Sequence, residues 1–132
     1  MNLFEILSLL ILHWIADFIL QDEEWAVNKS HDMEALISHT LIYSWFFLIV
    51  GWILLFPPLH LPLSYIGVIL FVLATFITHT ITDYFTSRVV SERFKNNHLG
   101  SDIPNFGAFT IIGADQILHY IQLFTTYYII FK

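Results

Sequence analysis

Histidine and aspartate stand four residues apart three times in this chain: His13 and Asp17 in HWIAD, His79 and Asp83 in HTITD, and Asp115 and His119 in DQILH. That spacing puts both members of a pair on one face of a helix. His39, in ISHT, is a seventh residue of the same kind. Neutral imidazole and carboxylate are donors suited to zinc, iron or manganese. The chemistry such a set could support is metal binding and, if catalytic, hydrolysis, with a metal-activated water as nucleophile and Asp17, Asp83 or Asp115 as base. Seven donors exceed the four of one tetrahedral zinc, so two ions, or outer roles for some aspartates, are expected to use the remainder. The sequence has no cysteine, which excludes both a thiolate site and a disulfide framework.

The segments carrying these residues are strongly apolar. Only 12% of the 132 residues are charged, about half of the roughly 25% usual in soluble domains. Four apolar stretches are visible, at about 3-20, 35-56, 63-85 and 108-131. Each is near the roughly 20 residues that a helix needs to cross a bilayer. None alternates as a barrel strand would, and only helices and closed barrels satisfy every backbone group in lipid. The expected fold is therefore all-α, a four-helix transmembrane bundle forming one domain over 1-132. The first stretch has no basic residue before it and no small-residue cleavage site after Leu20, so it is expected to be a span rather than a removed signal peptide. Lys29, Arg88, Arg93 and Lys95 fall in loops on one side and only Lys132 on the other. The asymmetry predicts those loops on the cytoplasmic side of an inner membrane and both termini outside.

Within such a bundle the polar residues share one depth. Spans one and three read His then Asp and run toward the cytoplasm, whereas span four reads Asp then His and runs away from it. At about 1.5 Å per residue all seven groups fall roughly 5 to 17 Å inside the cytoplasmic boundary. Asp17, Asp83 and Asp115 form a lower layer, His13, His79 and His119 an upper one, and His39 lies near the aspartates. A charged side chain at the centre of a span costs about 2.5 to 3.5 kcal/mol on insertion scales, so three carboxylates need histidines, a cation or water. Simple glue between helices is the weaker explanation, because polar contacts between membrane helices average only about 0.6 kcal/mol.

Other residues carry ordinary readings. His60 sits in the proline-rich outer loop, and His31 and Asp32 look like entry residues of the second span. His98 and Asp102 repeat the spacing, but in a loop with Gly100 and Pro104. FTSRVVSERFK reads as an amphipathic extension of the third span along the membrane surface. HWIADF and HTITDY share His, Ile, Asp and an aromatic residue, a faint internal repeat.

HWIADFILQ followed by EWAVNKS, His39, HTITDYF and DQILHY together give the sequence its family likeness. Over most of its length it resembles a bacterial membrane family known as domain of unknown function 3307. It resembles more loosely a set of small membrane proteins labelled metal-dependent hydrolases. The first likeness implies a membrane protein and no particular reaction; the second implies metal-assisted hydrolysis.

The reading that follows is a membrane-embedded metal-binding protein with His13, Asp17, His39, His79, Asp83, Asp115 and His119 as ligand set. Zinc is the leading ion, with iron or manganese next. A lipid-linked or phosphate-ester substrate entering from the cytoplasmic leaflet is the expected class, and Arg88, Arg93 and Lys95 could attract its headgroup. Two alternatives are a proton or ion conduit through the same cluster, and an effector or anchor working with a soluble partner at the cytoplasmic loops. FFLIVGWILLF is nearly bare of polar side chains that could continue a conduit through the outer leaflet, which favours a one-sided pocket. Membrane lipids are the expected surroundings, with a homo-oligomer left open and no nucleic-acid partner expected.

Overall fold

The computed structural model describes residues 1–55, 64–96 and 106–132, except for the side chains of 92–96 and 106–108. The readings placed on His60, His98 and Asp102, and on the side chains of Arg93 and Lys95, lie outside the described residues. The described residues are helical almost throughout and include no strand.

Helix α1 covers Leu3–Trp14. Asn2 caps it reciprocally: its side-chain oxygen accepts from Glu5 N–H at 2.8 Å, and the Glu5 carboxylate accepts from Asn2 N–H at 2.9 Å. The chain then widens into a π-helical turn at Ile15–Ile19, with Leu20 N–H bonded five residues back to the Ile15 carbonyl at 3.0 Å. A short helix, α2, covers Glu23–Asn28 and is capped by Asp22, whose carboxylate accepts from Glu24 N–H. Helix α3 covers Met33–Leu55. Asp32 marks its start by accepting from Glu34 N–H at 2.9 Å. Helices α4, Tyr65–Asn96, and α5, Phe106–Phe131, complete the fold. Helix α4 runs unbroken past the third apolar stretch, since nothing after Gly67 in its sequence is a glycine or proline.

Helix α4 lies between α3 and α5, the π-helical turn packs on α3, and α1 touches α5. At Gly51 a side chain would collide with Val68, a Cβ there falling 2.6 Å from its Cγ1. That glycine is what lets α3 and α4 approach. Leu9, Ala16, Tyr43, Phe47, Phe71 and Leu123 form the apolar core. The buried polar groups collect to one side of it: His13, Asp17, His39, Thr40, His79, Asp83 and His119 are all almost fully enclosed.

Large apolar side chains lie along the outside of α3 and α4. On α3, Trp45, Ile49, Trp52 and Ile53 are exposed; on α4, Leu70, Leu73, Ile77, Ile81 and Phe85 are. At three- and four-residue intervals each set makes a continuous apolar stripe. Hydroxyls within the helices are turned back onto their own backbone, as where Thr75 donates to the Phe71 carbonyl and Thr80 to that of Phe76. Met33–Leu55 and Tyr65–Ser91 are each long and apolar enough to cross a membrane.

Candidate metal centre

The buried cluster is assembled from the π-helical turn, α3, α4 and α5. Asp17 comes from the turn, His39 from the second turn of α3, His79 and Asp83 from successive turns of α4, and Asp115 and His119 from α5. The π-helical turn adds a residue to the helical circuit where Asp17 sits, a device that often marks functional positions in helices.

One oxygen and two nitrogens converge most closely. Asp17 Oδ1 lies 3.2 Å from His39 Nε2 and 3.3 Å from His79 Nε2, and the two nitrogens are 3.3 Å apart. Asp83 Oδ2 stands 3.1 Å from His39 Nε2 and 3.7 Å from His79 Nε2. Four donors around an ion with bonds of about 2.0–2.1 Å stand about 3.3–3.4 Å apart at tetrahedral corners. The three edges between Asp17 Oδ1, His39 Nε2 and His79 Nε2 fall close to that spacing. Hydrogen bonds alone satisfy the group poorly: each Nε2 has one proton or one lone pair to offer, and Asp17 Oδ1, buried, accepts no well-aligned hydrogen bond. Asp17, His39 and His79 could therefore hold a metal ion. A second triad, His79, Asp83 and His119, has the same capacity. His119 Nε2 lies 3.1 Å from Asp83 Oδ1 and 3.3 Å from Asp115 Oδ1, and its ring stacks on His79 with centroids 4.1 Å apart.

Two of the seven expected residues sit differently. Both ring nitrogens of His13 are occupied by other side chains, Nδ1 by Tyr43 Oη at 2.9 Å and Nε2 by Gln116 Oε1 at 3.0 Å. The Gln116 amide nitrogen faces carboxylates, Asp17 Oδ2 at 3.0 Å and Asp115 Oδ2 at 3.2 Å, so it must donate. Gln116 Oε1 is then the acceptor, His13 carries its proton on Nε2, and Tyr43 O–H donates to Nδ1. In this arrangement His13 orders Gln116, which fixes Asp17, and offers no lone pair to the triads. Asp115 lies at the edge of the cluster and accepts from Thr86 Oγ1 at 2.6 Å. Its side chain is 14% exposed, against 2% for Asp83. The rings of His13, His79 and His119 nonetheless lie together, their centroids 4.1 to 6.2 Å apart.

Tyr43, Gln116 and Lys29 belong to the site although no His–Asp spacing points to them. Tyr43 had a sequence signal, standing four residues after His39 on the same helical face. Lys29 follows α2 and folds back over the cluster, placing Nζ 2.8 Å from Asp83 Oδ2 and 3.5 Å from both Gln21 Oε1 and His39 Nε2. Burial alone would lower the pKa of this lysine, but Asp83, Asp17 and Asp115 outweigh it and hold the pKa above its ordinary value. Lys29 is thus a fixed cation at the cluster.

An all-helical chain with membrane-length apolar helices and a buried histidine–aspartate cluster defines a class by its site rather than by a known reaction. Within that class the chain belongs to the family described as protein of unknown function (DUF3307), whose model matches residues 6–132. No curated protein and no solved structure matches the chain.

Proposed function

We propose that the protein is a metal-binding protein embedded in the cytoplasmic membrane and a metal-dependent hydrolase of lipid-linked or phosphate-ester substrates. In this reading α1 with its π-helical turn, α3, α4 and α5 all cross the bilayer, with both termini outside and α2 at the cytoplasmic face. The observation that carries the reading is the spacing of Asp17 Oδ1, His39 Nε2 and His79 Nε2, 3.2 to 3.3 Å from one another. Zinc suits two imidazoles and one carboxylate, with water in the fourth position. When bound, the ion would supply Lewis acidity and activate water. Gln116 holds Asp17 in place through Oδ2, leaving Oδ1 for the ion. Asp115 is the candidate base: it is the least enclosed of the three aspartates, and Thr86 orients it. The apolar flanks would accommodate acyl chains, and Arg88, held against Tyr84, offers a cation near the headgroup depth.

The test is phosphate release from lipid phosphate esters in mixed micelles by the zinc-loaded protein. Release should require zinc and fall by about 100-fold or more in Asp115→Asn, the scale of losing a general base. If no phosphate is released, and liposomes with the pure protein instead pass protons or ions in a manner abolished by Asp83→Asn, the conduit reading replaces this one. If neither is seen, the cluster serves an anchor or effector acting with a soluble partner.

A further inference from the structure

We infer that the cluster takes a single divalent ion and that Lys29 is its built-in second cation. The inference rests on the metal-binding reading above. Three observations support it. First, the two triads share His79, whose Nε2 faces both carboxylates. One imidazole nitrogen has one lone pair, so two ions cannot both complete their triads through it. Second, Lys29 Nζ sits on Asp83 Oδ2 at 2.8 Å, the closest ion pair of the cluster, and reaches it from a loop rather than from a spanning helix. An ammonium there repels a second dication at Asp83, and in so enclosed a site water screens the repulsion weakly. Third, a second ion would overload the site. Three carboxylates less the Lys29 charge leave at most −2 to neutralise, before any histidine proton is counted. One divalent ion meets that, and a second would leave at least +2 in an enclosed interior, where uncompensated charge is costly.

Lys29 therefore does the work that a second metal does in binuclear centres. Its loop origin also lets it hold Asp83 in the metal-free protein, where three carboxylates would otherwise face one another.

The experiment is zinc binding to the full-length chain in detergent, counted by equilibrium dialysis with metal analysis. Wild type should bind roughly one zinc per chain, and Lys29→Arg, which keeps the charge, roughly one as well. Lys29→Met should still bind roughly one, since His79 remains shared, but about 10-fold or more tightly, because the ammonium that repels a dication is gone. Two zinc ions in wild type would overturn the inference while leaving the metal-binding reading intact. Equal zinc affinity in wild type and Lys29→Met would overturn the role given to Lys29. No zinc in wild type would instead sink the metal-binding reading itself. If Lys29→Met does not survive purification, Lys29→Gln removes the same charge, and the wild-type count still decides the stoichiometry.

Discussion

Replacing Asp83 with asparagine should destabilise the metal-free protein by about 3 kcal/mol, the low end for breaking a buried ion pair. The low end applies because the Lys29 side chain keeps 17% exposure and can lean toward water. Asp83 is the hub of the cluster. Its two oxygens meet Lys29 from the loop after α2, His39 from α3 and His119 from α5, at 2.8, 3.1 and 3.1 Å. An asparagine is nearly isosteric, so no cavity forms and the loss is electrostatic. The stranded ammonium is the main cost. The double change Asp83→Asn with Lys29→Met should consequently recover most of the stability, which an additive pair would not do. Unfolding in mixed micelles with chelator present measures both. A single variant as stable as wild type would show that Lys29 does not depend on Asp83.

Replacing His79 should have the largest effect on metal binding. Its Nε2 is common to both triads, and its ring lies between Tyr43 and His119 with centroids 4.0 and 4.1 Å away. Loss of an outer-shell partner already weakens metal sites by about 10 to 100-fold. Loss of this ligand should exceed that, with zinc affinity falling by more than 100-fold, about 2.8 kcal/mol. His79→Asn should behave like His79→Ala, separating the missing lone pair from the missing volume. His31→Ala should leave zinc affinity unchanged, since the His31 side chain bonds only to its neighbour Ser30 among the described contacts and is exposed. Competition with a chromogenic chelator reads all three, and equal affinity in wild type and His79→Asn would remove His79 from the site.

Much of the helical framework was legible in the sequence because its signals are local. An apolar residue on one face and a polar one four positions on are enough to draw the buried stripe of α4, where Thr75, His79 and Asp83 all end up enclosed. Asp32 preceding an apolar run marked the start of α3 by the same local logic. The site was legible as a set of residue types at helical spacing, and Asp17, His39, His79, Asp83 and His119 lie together in the fold. The rest depended on contacts that periodicity does not encode. The π-helical turn at Ile15–Ile19 changes the rotation between His13 and Asp17, and no residue type announces it. His13 shares a helical stretch with Asp17, yet whether it faces a metal or a hydrogen-bond partner was decided by Tyr43 and Gln116, which are 30 and 103 residues away. Lys29 counts in sequence only as one loop charge. Its partnership with Asp83 spans 54 residues and exists because α2 turns the chain back over the cluster.

The central claim is that these side chains form a metal centre, and X-ray absorption at the zinc edge of the purified, zinc-supplemented protein tests it most directly. The account predicts roughly one tightly held zinc per chain, with nitrogen and oxygen neighbours at about 2.0–2.2 Å and no sulfur shell. Outer-shell scattering should require at least two imidazoles, those of His39 and His79. A protein that retains almost no zinc, iron or manganese after supplementation, or one whose bound zinc shows no imidazole scattering, would contradict it.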